Sequence, residues 1–358
     1  MRILVDVSHG SCYRLTVSSV RVVPALVVWE CLGRVITKKS WMFIGLVVCL
    51  LIPALAVLIG QNGFAWPATA TELDRVLLQL RISRIAAGFV VGAALSCAGA
   101  VLQAVLRNPL ADPYVLGVSS GGAVGATLAI TLGLAGYTVL ALPLAAFAAA
   151  IITLTVVFRL ASRHGDTSVH GLILSGVVVS SMLSSVLMVI LSFSRNERLH
   201  GILWWMLGNL QINDMRVLTG CAVCCAVACV AALALARDLN ALTLGTEMAH
   251  NVGVRTRFVV CCALGTATLA AAAAVALAGL IGFVGLIVPH AVRHVTGSDH
   301  RRLLPAAALA GGAFLVVCDT VARSLVPGQE IPVGVITALT GGPFFLILLR
   351  RRREGWVA

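Results

Sequence analysis

Three kinds of residue in this chain could do chemistry, and none forms a catalytic cluster. His290 and His294 stand one helical turn apart in PHAVRH and could share one face of a helix. Two imidazoles at that spacing can ligate a metal, but the frame is not HExxH and no carboxylate supplies a base. His164, His170, His250 and His300 add no convincing site, so no metal is expected. Cys221, Cys224 and Cys225 have CxxC spacing, yet they lie in an apolar run without a second CxxC or a nearby histidine. Buried thiols behave as small hydrophobes, and these read as packing residues. The only lysines are Lys38 and Lys39, and neither falls in a GxxxxGK[ST] frame. The chain therefore lacks the loop that cradles a nucleotide's phosphates, and it is expected to be neither an enzyme nor the holder of a cofactor.

What remains is charge at the ends of apolar runs. Arg81 and Arg84 open a long run of small and aliphatic residues that closes on the proline-punctuated RNPLADP at residues 107–113. Asp319 and Arg323 stand one helical turn apart near the end of another run. Between two further runs lies LNALTLGTEMAHNVGV, residues 239–254. Its Gly245 and Gly253 bracket a short helical piece with a Thr246 start signal and Glu247 in the first turn, where the helix dipole favours an acid.

The elements that must position these residues follow from composition. The chain of 358 residues is 59% hydrophobic and 11% charged, with a mean hydropathy of +1.01. A soluble chain carries roughly a quarter charged residues, so the bilayer is the solvent here. Apolar runs at 41–60, 84–106, 114–134, 137–160, 169–193, 215–236, 258–280, 281–295, 304–321 and 331–349 give about ten transmembrane helices. The fold class is all-α and polytopic. Residues 66–80 are expected to form a loop. Residues 1–40 read as a cytoplasmic lead or as a start placed too early, residues 41–350 as the membrane domain and 351–358 as a cytoplasmic tail. No cleavage site follows a clean apolar core, so no signal peptide is expected.

A net charge of +12 could point to nucleic acid, but the basic residues sit between the apolar runs and at the chain ends. Placing Lys38 and Lys39 inside also puts Arg107, Arg159, Arg163, Arg237, Arg255, Arg257, Arg293, Arg301, Arg302 and residues 350–353 inside. Fewer arginines remain outside, among them Arg81, Arg84 and Arg323. The positive-inside rule then places both termini in the cytoplasm. Gly88 and Gly92 frame a GxxxG, and glycines throughout the runs let helix backbones approach closely. Residues 84–193 and 258–349 each hold about four spans, which hints at two repeats.

RNPLADP, LNALTLGTEMAHNVGV, the eighth-span stretch GLIGFVGLIVPHAVRHVTGSDHRRLLP (279–305) and CDTVARSLVPGQEIPVGVITALTGGPFF (318–345) occur in this order. Together they resemble the FecCD family of ABC importer permeases, which carry iron siderophores, haem and cobalamin, over nearly the whole of residues 41–350. The resemblance implies a cobalamin-importer-like (type II) permease fold in the bacterial plasma (inner) membrane, paired with a second copy or a paralogue. It implies two copies of an ATPase subunit, where ATP and Mg2+ bind, and an extracytoplasmic substrate-binding protein. Lipid is the surrounding partner, and nucleic acid is none.

The same resemblance assigns roles. Arg81, Arg84 and Arg323 match positions that receive acidic residues of the binding protein, as charge-assisted pairing allows; the alternatives are headgroup anchoring and, for Arg323, the neighbouring Asp319. Leu244, Gly245, Glu247, Ala249 and Gly253 match the ATPase-coupling element, a rigid lever lying across the cytoplasmic face. Asn108 and Leu110, with Thr167 and Ser168, match the cytoplasmic gates, while capping a turn is the plain reading of Asn108. His290 belongs to the family's PH motif, which favours a structural or interface role. Trp204 and Trp205 in the outer loop suit a membrane interface or contact with cargo or binding protein. The competing function is an ion-coupled secondary transporter, with Asp319 as the one intramembrane acid available.

Overall fold

The computed structural model describes residues 38–60, 63–64, 71–163, 166–167, 169–212, 214–326 and 328–354. Met1–Ile44 and Gly45–Ala358 are separate compact units. Of the first, the described residues comprise only the opening turns of helix α1, Lys38–Val57. Everything below concerns the second. Its other helices are α2 Glu72–Val105, α3 Val118–Thr131, α4 Ala141–Ala161, α5 Val169–Phe193, α6 Asn196–Met206 and α7 Met215–Ala234. There follow α8 Ala236–Thr243, α9 Thr246–Asn251, α10 Thr256–Ala278, α11 Val284–Thr296, α12 His300–Ser324 and α13 Val333–Glu354. The described β structure is two antiparallel pairs of two-residue strands, Ile59–Gly60 with Gly63–Phe64 and Ser162–Arg163 with Asp166–Thr167.

By length and composition, α2, α4, α5, α7, α10 and α12 can cross a membrane, and Gly45–Val57, α3 and Val333–Ile347 are shorter apolar helices. With the 13-residue α11, these occupy all ten stretches expected to span. The all-α class holds. Two local expectations do not. The third span does not begin as α-helix: Pro113–Leu116 is one turn of 3-10 helix, and Gly117, at φ 81°, reorients the chain into α3. Residues 72–80, expected as loop, are the start of the 34-residue α2. Thr71 and Asp74 form a capping box there: the Asp74 N–H donates to Thr71 Oγ1 at 3.1 Å and the Thr71 N–H to Asp74 Oδ2 at 3.1 Å. Glu72 and Asp74 also meet the positive end of the helix dipole. At 1.5 Å per residue the helix is about 51 Å long, well beyond a ~30 Å hydrocarbon core.

From Ala94 to Val105 every side chain of α2 is buried, which makes this helix the centre of the bundle. Glycines set how closely its neighbours approach. A methyl on Gly92 would lie 2.2 Å from the carbonyl oxygen of Gly311 in α12, and one on Gly99 would lie 1.9 Å from that of Gly285 in α11. Such contacts replace a hydrophobic driving force that lipid cannot supply. The break between α10 and α11 is irregular backbone covered by protein, the condition under which a membrane tolerates it. There the Asn209 N–H donates to Ala278 O at 2.9 Å, the Gly334 N–H to Leu207 O at 3.2 Å and the Ile281 N–H to the Tyr114 hydroxyl at 2.8 Å. Gly279, at φ 70° and ψ −151°, lies against the Trp205 carbonyl, a place and conformation open only to glycine.

Candidate functional site

Polar residues gather at the two ends of the bundle around α2. At one end, α2 and α12 run antiparallel and bring Arg84 to Asp319. Arg84 Nε donates to both oxygens of Asp319 at 2.9 and 3.2 Å, and Nη2 lies 2.9 Å from Oδ1. Its Nη1 donates to Glu330 Oε2 at 2.9 Å, and Gln211 Nε2 reaches the same oxygen at 2.8 Å. Arg323 lies 3.7 Å from Asp319 and donates through Nη2 to the carbonyl of Ala56 at 2.8 Å. Asp319 and Arg323 are buried, and the Arg84 side chain is only 13% exposed. Two guanidiniums thus face two carboxylates in a buried network, in which Arg84 is hydrogen-bonded to both acids and the Arg323 Nε meets Asp319 as an ion pair beyond hydrogen-bond distance.

The three arginines expected at a docking face therefore differ. Arg84 and Arg323 are engaged within their own chain, because desolvated guanidiniums require partners. Arg81, half-buried one turn before Arg84, makes no hydrogen bond or ion pair among the described residues. Glu330 and Gln211 are the members that motif spacing does not reveal. Glu330 reaches Arg84 from a loop 246 residues away in the chain, and Gln211 reaches Glu330 from 119 residues away.

At the other end, the loop after α2 meets the α8–α9 hairpin. Arg107 adopts φ 47°, a left-handed conformation that costs a non-glycine residue on the order of 1 kcal/mol. One of its guanidinium nitrogens stands 3.6 Å from where a Gly245 side chain would begin. Asn108 Oδ1 accepts from the Leu110 N–H at 3.0 Å, so Asn108 does cap its turn. Asp112 accepts from the Tyr114 N–H at 2.9 Å, and burial pushes its carboxyl up to about 6. Of the second gate pair, Thr167 is described only as backbone of a two-residue strand, and Ser168 lies outside the described residues.

The hairpin is pinned from one side. Asn240 of α8 donates to Asp299 at 2.7 Å and accepts from the His300 N–H at 2.9 Å, joining the hairpin to the start of α12. The Asn240 amide, with the Arg301 N–H, holds the Asp299 carboxyl below its usual range. Gly245 at φ 117° and Gly253 at φ 87° bend the chain into and out of α9. Ala249 is buried and anchors the helix, while Glu247 is exposed. Leu244, Met248 and Val252 are 72%, 56% and 69% exposed. Met248 and Val252 were not among the expected contact residues, although their one-turn spacing was readable in the sequence.

Trp204 and Trp205 of α6 are half-buried and line a cavity of about 510 Å3 with His200, Asp214 and the Gln211 that bonds Glu330. His290 packs edge-on against His294 and Phe344, and no metal-ligating group of three occurs among the described residues.

The profile of the FecCD transport family matches residues 42–351. The chain belongs to the FecCD transport family. This FecCD chain is 44% identical over 312 residues to the cobalamin import system permease protein BtuC of Halobacterium salinarum, covering 83% of this chain and 82% of that one. It is 39% identical over 290 residues to the hemin transport system permease protein HmuU of Yersinia pestis, covering 80% and 86%. A solved transporter described as of the metal-chelate type, in an inward-facing conformation, superposes with a TM-score of 0.79 at 30% identity, covering 87% of this chain and 99% of that one. The FecCD chain is a multi-pass membrane protein and an ABC importer permease of the BtuC type.

Proposed function

We propose that this permease carries a bulky metal chelate of the cobalamin, haem or siderophore class into the cytoplasm, driven by two copies of a separate ATPase and supplied by an extracytoplasmic binding protein. Cobalamin and haem are the cargoes named for the two relatives above. The observation that carries the reading is the α8–α9 hairpin. It presents Leu244 just before Gly245, and Met248 and Val252 between the two glycines, to solvent, while Ala249 and Asn240 fix it to the bundle. An exposed apolar knob on a rigid mount suits a partner that must push on the spans. Leu244, Gly245, Glu247, Ala249 and Gly253 then serve coupling as expected, with Met248 and Val252 added to the contact. Asn108 and Leu110, with Thr167 and Ser168, are proposed to hold the exit shut.

At the opposite end, docking of the binding protein is proposed to rest chiefly on Arg81, which has no ion-pair partner among the described residues, with Arg84 and Arg323 shaping the face beneath it. Both termini are proposed to be cytoplasmic. The ion-coupled alternative needs an acid able to exchange protons, and Asp319 is instead held between two guanidiniums.

Reconstitution with the ATPase and binding protein in vesicles tests the proposal. Labelled cobalamin, haem or ferric siderophore should accumulate only with ATP on the ATPase side. Uptake that runs on a proton gradient without ATP sinks it.

A further inference from the structure

A second cavity, of about 580 Å3, opens at the Arg107 end of the bundle. Arg107, Arg293, His290, His294, His300 and Gln103 line it, and no carboxylate is among its described lining residues. So large a basic concavity without a counter-charge attracts anions.

Two nitrogens make it more than a basic surface. His300 is only 1% exposed. Its Nδ1 lies 2.7 Å from Asn240 Oδ1, an oxygen that also accepts from the His300 backbone N–H. The Asn240 amide cannot be turned over, because its Nδ2 donates to Asp299 at 2.7 Å. Nδ1 must therefore carry the proton, which leaves Nε2 as an acceptor. That Nε2 is buried and without a partner among the described residues. Arg293 is held by a bond from Nη2 to Gln103 Oε1 at 3.2 Å, and Gln103 is in turn fixed on the carbonyls of Gly285 and Leu286. The Arg293 Nε is the second buried nitrogen without a hydrogen bond. Buried polar atoms normally find partners.

We infer that this cavity binds a phosphomonoester or inorganic phosphate, with its anionic oxygens between Arg107 and Arg293 and its P–OH donating to His300 Nε2. Guanidiniums match phosphate oxygens in geometry and charge. The acceptor nitrogen selects a phosphate that still carries a hydroxyl, which a phosphodiester lacks. The same chemistry has two sources, free phosphate and the headgroup of phosphatidic acid. Because Arg107 also stands beside Gly245, occupancy would be sensed next to the α8–α9 hairpin.

The test uses the full chain assembled with its ATPase in nanodiscs. Millimolar inorganic phosphate is titrated while the thermal unfolding midpoint is followed, and native mass spectrometry counts retained phosphatidic acid against phosphatidylglycerol. Phosphate should raise the midpoint, and phosphatidic acid should be retained at least tenfold over phosphatidylglycerol if the headgroup is the source. Retention without preference, with no effect of phosphate, means annular lipid only and overturns the inference. Arg293→Gln and His300→Gln should each weaken phosphate binding at least tenfold. Should either fail to assemble, Arg107→Gln, at an exposed position, should weaken it as well. Wild-type binding in the soluble variants refutes the site. So does phosphate binding to the isolated permease that vanishes on ATPase assembly, because the cavity then belongs to the protein partner.

Discussion

Removing the carboxylate of Asp319 should be the most damaging single change at the Arg84 end. Asp319 is buried and faces two guanidiniums, bidentate with Arg84 and 3.7 Å from Arg323. Asp319→Leu leaves both cations in a low-dielectric interior, and breaking a buried pair costs about 3–5 kcal/mol. Arg84 keeps its bond to Glu330 while Arg323 loses its carboxylate, which places the loss near the middle of that range, about 4 kcal/mol, or roughly a thousandfold in the folded ratio at 1.4 kcal/mol per decade. Arg84→Met should cost less. It leaves Asp319 facing Arg323 and leaves Glu330 its bond from Gln211. The double variant should cost less than the sum of the two singles, with a coupling of up to about 3 kcal/mol. Reversible unfolding in mixed micelles, read by tryptophan fluorescence, measures all four corners of the cycle. Strict additivity within about 0.5 kcal/mol, or an Asp319→Leu variant as stable as the wild type, would refute the buried network.

Three other outcomes are expected. Gly99→Ala should abolish stable assembly on size-exclusion chromatography, because its methyl meets the Gly285 carbonyl, whereas Gly265→Ala, with open space around it, should assemble normally. Met248→Ser with Val252→Ser should lower ATPase stimulation in the assembled complex at least tenfold while leaving permease folding unchanged, since both side chains are exposed; unchanged stimulation removes the hairpin from the coupling contact. The Asp112 carboxyl, raised from 3.8 to about 6, binds its proton more tightly in the folded state. Stability should therefore fall as pH rises from about 4 to about 6 and level off above that. Asp112→Asn keeps an oxygen for the Tyr114 N–H and should flatten this segment of the stability profile, and an unaltered slope assigns it to another group.

How much was legible depends on whether a signal is local. Hydropathy runs located every one of the ten helical stretches, because the cost of placing backbone and charge in lipid is carried by each segment separately. The start of α2 was missed because Leu73, Val76 and Leu77 lie among Glu72, Asp74 and Arg75, which masks the apolar signal; the Thr71 and Asp74 capping box was the readable clue. Gly245 and Gly253 were recognised as the limits of the hairpin helix, since the chain needs positive φ at both. The exposure of Met248 and Val252 was not recognised, because one turn of helix does not show which side faces the bundle.

By itself the sequence determined a membrane-embedded helical chain, the family to which it belongs and the loops where polar chemistry collects, all properties carried by neighbouring residues. Only the tertiary structure decided that Arg84 is held by Asp319 and Glu330 while Arg81 is not, that Gly99 abuts Gly285, and that Arg107, Arg293 and His300 share one cavity. These pairings join residues up to 246 positions apart. No local preference encodes them, because they exist only once packed helices exclude lipid and water and oblige each buried charge to find the partner that the bundle brings to it.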